Sequence, residues 1–224
     1  MSNRIIDLLF VNRCALCRKP SDAVLCDKCQ KQIKPLNFGC CERCGKPFKN
    51  CICKKQRLKF TRCVSAFRYE NSAVTSLIFK LKSTGNRYVV SFLSEAMLSR
   101  LKSEYKNLDF DYITYVPISD SKLRRKGFDH AALLAEALSL KLNIPLVCPP
   151  LKRRGGKIQK YLSMRDRSRN AEGAFRLSGD KISGRVLFVD DVMTTGATLS
   201  SCSSLLKRAG ASEVYCLTAV TSAK

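Results

Sequence analysis

Acid is scarce in this chain of 224 residues: 18 Asp and Glu stand against 41 Lys and Arg, a formal charge of +23. Such an excess attracts polyanions strongly, so nucleic acid, an acidic membrane surface and phosphorylated small molecules all qualify as partners. Histidine occurs once, at His130, far in sequence from the cysteines, so a metal site at the cysteines has to be built from thiolates. Tryptophan is absent, and the basic stretches carry no clear aromatic interleaving. Phe67, Tyr69, Phe128 and Tyr161 are therefore read as core or rim residues rather than as base-stacking platforms. No apolar run approaches the length of a membrane span. Ile5–Val11, the longest near the start, is broken by Asp7 and leads into cysteines; it makes a poor signal peptide and a better amphipathic helix docked on the body. The cytoplasm is the expected location, with the inner face of the cell membrane as the nearest alternative.

What the chain has in excess is cysteine. Of 13, nine fall between Cys14 and Cys53, mostly in Cys-x-x-Cys pairs, a pattern that favours metal over disulfide in a chain with no export signal. Cys14 and Cys17, Cys26 and Cys29, Cys41 and Cys44, then Cys51 and Cys53 form four knuckles, with Cys40 beside Cys41 as a spare. Each knuckle aims two thiolates at one point, and two knuckles complete a tetrahedral sulfur site suited to Zn²⁺. Sequential and interleaved pairing of the knuckles both satisfy the spacing. Without an open coordination position, such sites are structural. Two of them would lower the charge to about +19, leaving the segment basic around Lys46, Lys49, Lys54, Lys55, Arg57, Lys59 and Arg62.

From Phe60 onward strands alternate with helices. Strands are expected at Cys63–Tyr69, Tyr112–Pro117, Pro145–Cys148, Arg185–Asp190 and Val214–Val220. Apolar residues recur at helical spacing over Val74–Leu81, Val89–Leu101, Phe128–Leu142 and Leu199–Ala209. The alternation predicts an α/β domain over 61–224, a parallel sheet flanked by helices, following a Cys-rich zinc module over 1–60. In such sheets ligands collect beyond the carboxyl ends of the strands.

At one of those ends the sequence reads Arg185-Val-Leu-Phe-Val-Asp190-Asp191-Val-Met-Thr194-Thr195-Gly196-Ala197-Thr198. An apolar strand runs into paired acids, and a hydroxyl- and glycine-rich turn opens a helix. Gly196 permits close backbone approach, and the first helical N–H groups lack partners, which makes an anion cradle. Asp190 and Asp191 at its lip can accept the vicinal hydroxyls of a ribose. One element thus grips a phosphate and a sugar diol together. It resembles the phosphoribosyl pyrophosphate (PRPP) motif of type I phosphoribosyltransferases. The resemblance implies PRPP with Mg²⁺ as ligand, bound by Asp190, Asp191, Thr194, Thr195, Gly196, Ala197 and Thr198. If the domain catalyses, Asp190 and Asp191 are the residues that position the ribose for displacement of pyrophosphate at its anomeric carbon.

Two basic segments fit the same picture. Tyr115–Phe128 is expected as a strand end followed by a basic loop, in the place of a pyrophosphate-binding loop, with Lys126 as a phosphate ligand. Lys152–Arg169 is expected as the mobile loop that closes over PRPP, with Arg165 as a second ligand.

Taken together, the cysteine knuckles, the Val116-Pro117 with Lys126-Gly127-Phe128-Asp129-His130 downstream, the stretch from Gln159 through Asn170 to Phe175 and the PRPP motif resemble the competence protein F (ComF) family over nearly the full chain. Members commonly carry Arg-Gly-Phe-Asn-Gln where this chain has Lys126 to His130, which leaves position 130 without an assigned role and makes Asp129 a helix start. The resemblance implies action in natural transformation, with single-stranded DNA and competence or DNA-uptake proteins as partners. No acid stands at Thr194 or between Lys152 and Arg165, where purine-salvage enzymes place one. Three readings follow: a PRPP-binding protein of DNA uptake, an active phosphoribosyltransferase with an unidentified acceptor, or a PRPP sensor without turnover.

Overall fold

The computed structural model describes residues 13–36, 39–154 and 173–222. A four-stranded parallel sheet lies at its centre in the order β1 (Arg62–Arg68), β6 (Glu213–Thr221), β5 (Arg185–Met193), β2 (Tyr112–Tyr115). The two central strands are almost wholly apolar, as strands covered on both faces must be. Val186 pairs with Val214 and Phe188 with Cys216, all fully buried. Beyond β2, Pro145–Cys148 joins only through a parallel bridge between Ile113 and Leu146 rather than as a full strand.

Local signals place the helices. α1 is a single turn in the Cys-rich segment, Asp27–Gln30. Asn71 caps α2 (Ser72–Thr84) by accepting from Val74 N at 3.1 Å, and Gly85 ends it in the left-handed conformation, φ +59°. Asn86 at once caps α3 (Arg87–Glu104), accepting from the N–H groups of Tyr88 and Val89. Asp129 starts α5 (His130–Leu142) by accepting from Ala131 N at 2.9 Å, while its other oxygen takes Ile118 N at 2.9 Å and so pins the loop after β2. α6 (Ala197–Arg208) opens at Gly196.

One face of the sheet is covered by α2, α3 and α5, which pack Leu77, Leu81, Leu93, Met97, Leu134 and Leu138 onto Leu187, Val189 and Leu217. Truncating one of these buried leucines to alanine costs about 2–5 kcal/mol. The other face is covered by α6, through Leu199, Cys202 and Leu206, and beside it by the end of the Cys-rich segment, through Cys44, Leu58 and Phe60. The first cysteine knuckles lie on the opposite core, where Cys14, Leu25 and Cys29 are buried. The Cys-rich residues thus contribute to both cores of the domain.

Two further expectations need correction. Asp120–Lys126 is a helix, α4, not a loop. Asp120 stands in its first turn and Arg124, Arg125 and Lys126 in its last, the charge order a helix dipole favours, and Gly127 closes it at φ +76°. Lys152 and Arg153 belong to an antiparallel pair, β3 (Leu151–Arg153) with β4 (Phe175–Leu177), not to a long loop. Buried Leu151 and Phe175 anchor that pair. The expected mobile loop from residue 155 onward, including Gln159, Tyr161, Arg165, Arg167 and Arg169, lies outside the described residues.

Candidate functional site

A cleft of about 440 Å³ opens at the carboxyl ends of β2 and β5. Asp190 and Asp191 lie inside β5, which continues to Met193 rather than stopping at the acids. Thr194 and Thr198 line the cleft with them, and Thr195, Gly196 and Ala197 make the turn that leads into α6. Thr195 Oγ1 accepts from Ala197 N at 3.3 Å, and Gly196 holds φ +74°. A strand that must deliver acids to a rim and then reverse into a helix needs such a left-handed hinge, and glycine takes it without strain.

Around these residues stand five cations: Lys82 from α2, Lys122, Arg125 and Lys126 from α4, and Arg153 from β3. Burial pushes the Lys122 ammonium below its ordinary pKa, and the charges of Arg153, Lys126, Arg125 and Lys82 push it further. A polyanion entering the cleft would relieve that crowding. Lys126 Nζ donates to Lys82 O, so this predicted ligand reaches the cleft but also ties α4 to the end of α2.

The acids differ in environment. Asp190 is enclosed, and burial followed by the neighbouring Asp191 charge holds its carboxyl well above the usual carboxylate range. Its Oδ1 accepts from Asp191 N at 2.8 Å. Asp191 Oδ2 faces Lys82 Nζ at 2.9 Å and His130 Nε2 at 3.3 Å. Burial, only partly offset by Asp191 and Asp129, pushes the His130 pKa below its ordinary value, so the imidazole is neutral at neutral pH. Sequence reasoning singled out neither Lys82 nor His130 for this site. Lys82 sits in the last turn of an ordinary amphipathic helix, and only the packing of α2 beside β5 reveals its partner.

A second cleft, of about 660 Å³, lies where the end of the Cys-rich segment meets α6. Arg43, Arg57, Lys59, Lys207 and Arg208 line it without an acid. Phe60 in its wall is buried and offers no free ring for stacking.

The cysteines settle into two sets in sequential pairing: Cys14, Cys17, Cys26 and Cys29, then Cys41, Cys44, Cys51 and Cys53, each with its sulfurs within 4.8 Å of one another. Cys17 and Cys26 stand 3.7 Å apart, Cys41 and Cys53 3.7 Å, and Cys44 and Cys51 3.8 Å. A tetrahedron with Zn–S bonds of about 2.3 Å has an edge of about 3.8 Å, so the sulfur positions fit zinc. Burial raises the Cys14 thiol, but backbone N–H groups of Cys17, Cys26 and Leu16 outweigh it and lower the pKa to about 6, the thiolate that a metal takes. Two structural Cys₄ zinc groups are therefore built into the chain.

Family models match both regions: a double zinc ribbon domain over residues 5–64 and a phosphoribosyl transferase domain over residues 128–224. Competence protein F of Haemophilus influenzae is 31% identical over 218 residues, spanning 92% of this chain and 95% of its own. The chain belongs to the competence protein F family. DNA utilization protein YhgH of Salmonella typhi is 29% identical over 219 residues, 91% of this chain and 95% of that protein. Among solved structures, adenine phosphoribosyltransferase from Saccharomyces cerevisiae aligns at a TM-score of 0.39 and 16% identity over 62% of this chain and 72% of its own. The family's architecture is the one described above: a phosphoribosyltransferase-like α/β sheet with an N-terminal double zinc ribbon. No described helix is long and apolar enough to cross a membrane.

Proposed function

We propose that this protein binds PRPP with Mg²⁺ in the cleft at the end of β5 and acts in handling single-stranded DNA in the cytoplasm. The observation that carries the first half is the pairing, in one cleft, of Asp190 and Asp191 with five cations over a glycine turn at a helix start. Asp191, and Asp190 once ionised, accept the ribose hydroxyls. Thr194 to Thr198 hold the 5′-phosphate, where the N–H groups of the first turn and the helix dipole favour negative charge. Lys82, Lys122, Arg125, Lys126 and Arg153 face the pyrophosphate. Mg²⁺ bound together with PRPP would supply charge neutralisation, with Asp190 and Asp191 as the carboxyls at hand.

The second half is supported by the names of relatives, a competence protein and a DNA utilization protein, and by the cleft beside α6 whose lining carries five cations. That lining offers backbone contacts and no exposed ring, so binding by phosphate charge, strongly dependent on salt, is the expected mode.

Among the described lining residues of the PRPP cleft, Asp190 and Asp191 are the carboxyls and His130 is the one imidazole, so an acceptor's proton would have to go to one of these three. Calorimetry with Mg²⁺–PRPP tests the reading. Binding by the wild type and not by Asp190→Asn/Asp191→Asn supports it; no binding by the wild type overturns it. Release of pyrophosphate with any one nucleobase, absent in the double variant, would make the protein a transferase instead.

A further inference from the structure

The second zinc ribbon abuts the turn between β5 and α6. A β-carbon built on Gly196 would lie 3.0 Å from Ile52 Cδ1, 3.6 Å from Gln56 Nε2 and 3.8 Å from Leu58 Cδ2. Ile52 stands between two ligands, Cys51 and Cys53, so a metal on this set fixes its backbone from both sides. Its carbonyl accepts from Lys55 N at 3.0 Å and Gln56 N at 3.1 Å, which sets the Gln56 backbone from the same knuckle. The Gln56 side chain then donates from Nε2 to Thr195 O, in the turn itself. A carbonyl can only accept, so this contact needs the amide nitrogen.

Two further contacts tie the same ribbon to the two ends of the turn. At the strand end, Lys46, the second residue after ligand Cys44, is fully buried and donates to Ser222 O at 2.7 Å. Ser222 N in turn donates to Met193 O at 3.0 Å, the residue immediately before Thr194. At the helix end, Lys59 N donates to Ser200 Oγ at 3.0 Å. The turn is thus held before, within and after by residues whose own positions depend on one set of cysteines.

We infer that the second ribbon is the positioning shell of the PRPP turn, with Ile52 and Gln56 as its positioning residues, so that zinc affinity at Cys41, Cys44, Cys51 and Cys53 and ligand affinity at Thr194–Thr198 are coupled. This rests on the PRPP reading above. The direction of the coupling follows from the contacts. Zinc orders the Cys51–Gln56 segment, which holds Thr195 O and closes the space behind Gly196. A phosphate on the front of the turn orders it from the other side. Each therefore lowers the ordering cost of the other, and such coupling is reciprocal. The first ribbon, packed on the opposite core, has no contact with the turn among the described residues; its knuckle meets α2 instead, where Lys80 Nζ donates to Ala15 O and Leu16 O, so its coupling to the turn is expected to be the weaker of the two.

The test uses the full chain loaded with both zinc ions. Mg²⁺–PRPP affinity is measured by calorimetry, and zinc release to a chelating dye is timed with and without Mg²⁺–PRPP, for the wild type, Gln56→Met, Ile52→Ala and Asp190→Asn/Asp191→Asn. In the wild type the ligand should slow loss of one zinc about tenfold, within the range usual for coupled sites, and affect the other less. The Asp190/Asp191 double variant should show no slowing, which removes any effect of pyrophosphate chelating free metal. Gln56→Met and Ile52→Ala should keep two zinc ions, bind the ligand about tenfold more weakly and lose the protection. If both variants bind and protect like the wild type, or if the ligand binds without altering either zinc rate, the proposal is overturned while the PRPP reading stands. If the wild type fails to bind Mg²⁺–PRPP at all, that reading falls and takes this proposal with it.

Discussion

Lys82 Nζ stands 2.9 Å from Asp191 Oδ2, so the acid offered to a ribose already holds a cation at the mouth of the cleft. The lysine is more than one-third exposed and the carboxylate is buried. An exchange of partners is the natural consequence: an entering pyrophosphate takes Lys82, and the ribose hydroxyls take Asp191. Because the carboxylate is buried, Lys82→Met would leave its charge with only His130 Nε2 facing it, so the variant should lose stability, read as a fall in Tm. It should weaken Mg²⁺–PRPP by about tenfold, the cost of one lost charge-assisted contact. Calorimetry alongside thermal unfolding checks both, and unchanged affinity would reduce Lys82 to a counter-ion.

Asp190 supplies a pH prediction. Burial and the neighbouring Asp191 hold its carboxyl well above the usual range in the folded state, so over that interval the native chain binds a proton that the unfolded chain has already lost. Stability therefore falls as pH rises from the ordinary carboxylate pKa towards the native one, and the full penalty is present above it. Asp190→Asn removes that penalty. In the ligand-free protein it should raise stability, and with it Tm, at neutral pH and abolish ligand binding. Unfolding followed across pH for both proteins checks the sign; the two curves should converge only at acid pH.

The ribbons should behave as part of the fold. Cys44 is fully buried beside Leu58 and Phe60 in the core under α6. Stripping zinc would leave its set of thiols crowded around an absent cation, so a chelator should lower Tm by about 10 °C or more. Metal analysis should give two zinc ions per chain, and one after Cys41→Ser/Cys53→Ser. A full complement in that variant would exclude the second set as a zinc site.

Most of the architecture was legible because it rests on periodicity and punctuation. β5 and β6 read as continuous apolar runs because both faces are covered, and Asp129 marks a helix start in the sequence itself. α4 was missed because Asp120–Lys126 has no buried residue and hence no apolar stripe; its charge order and Gly127 are the signals that were there. β3 and β4 are three residues each, too short for a pattern, and exist because Leu151 and Phe175 are buried. Spacing named the zinc ligands but could not choose their pairing, which depends on how the knuckles approach in space. The acids and the glycine turn form one local motif and were read directly. Lys82, His130, Ile52 and Gln56 belong to other elements, and nothing along the chain links them to Asp191 or Gly196.

The basic cleft beside α6 makes the DNA reading measurable. Arg57 and Lys59 line it from the stretch before β1 and Lys207 and Arg208 from α6, whereas Arg43 already donates to Leu58 O at 3.1 Å and serves the wall. Binding of labelled oligothymidylate, followed by anisotropy over a range of salt concentrations, should give a linear fall of log K with log salt. On single strands each phosphate contact contributes about 0.7 to that slope, so replacing all four residues by alanine should flatten it by up to about 3. Lys82→Met, in the other cleft, is the internal control and should leave the slope unchanged. The substitutions lie at the surface, so folding is checked by retained zinc and retained Mg²⁺–PRPP binding. A slope unaffected by the four changes would place the strand elsewhere, and an affinity insensitive to salt would remove backbone charge as the basis of binding.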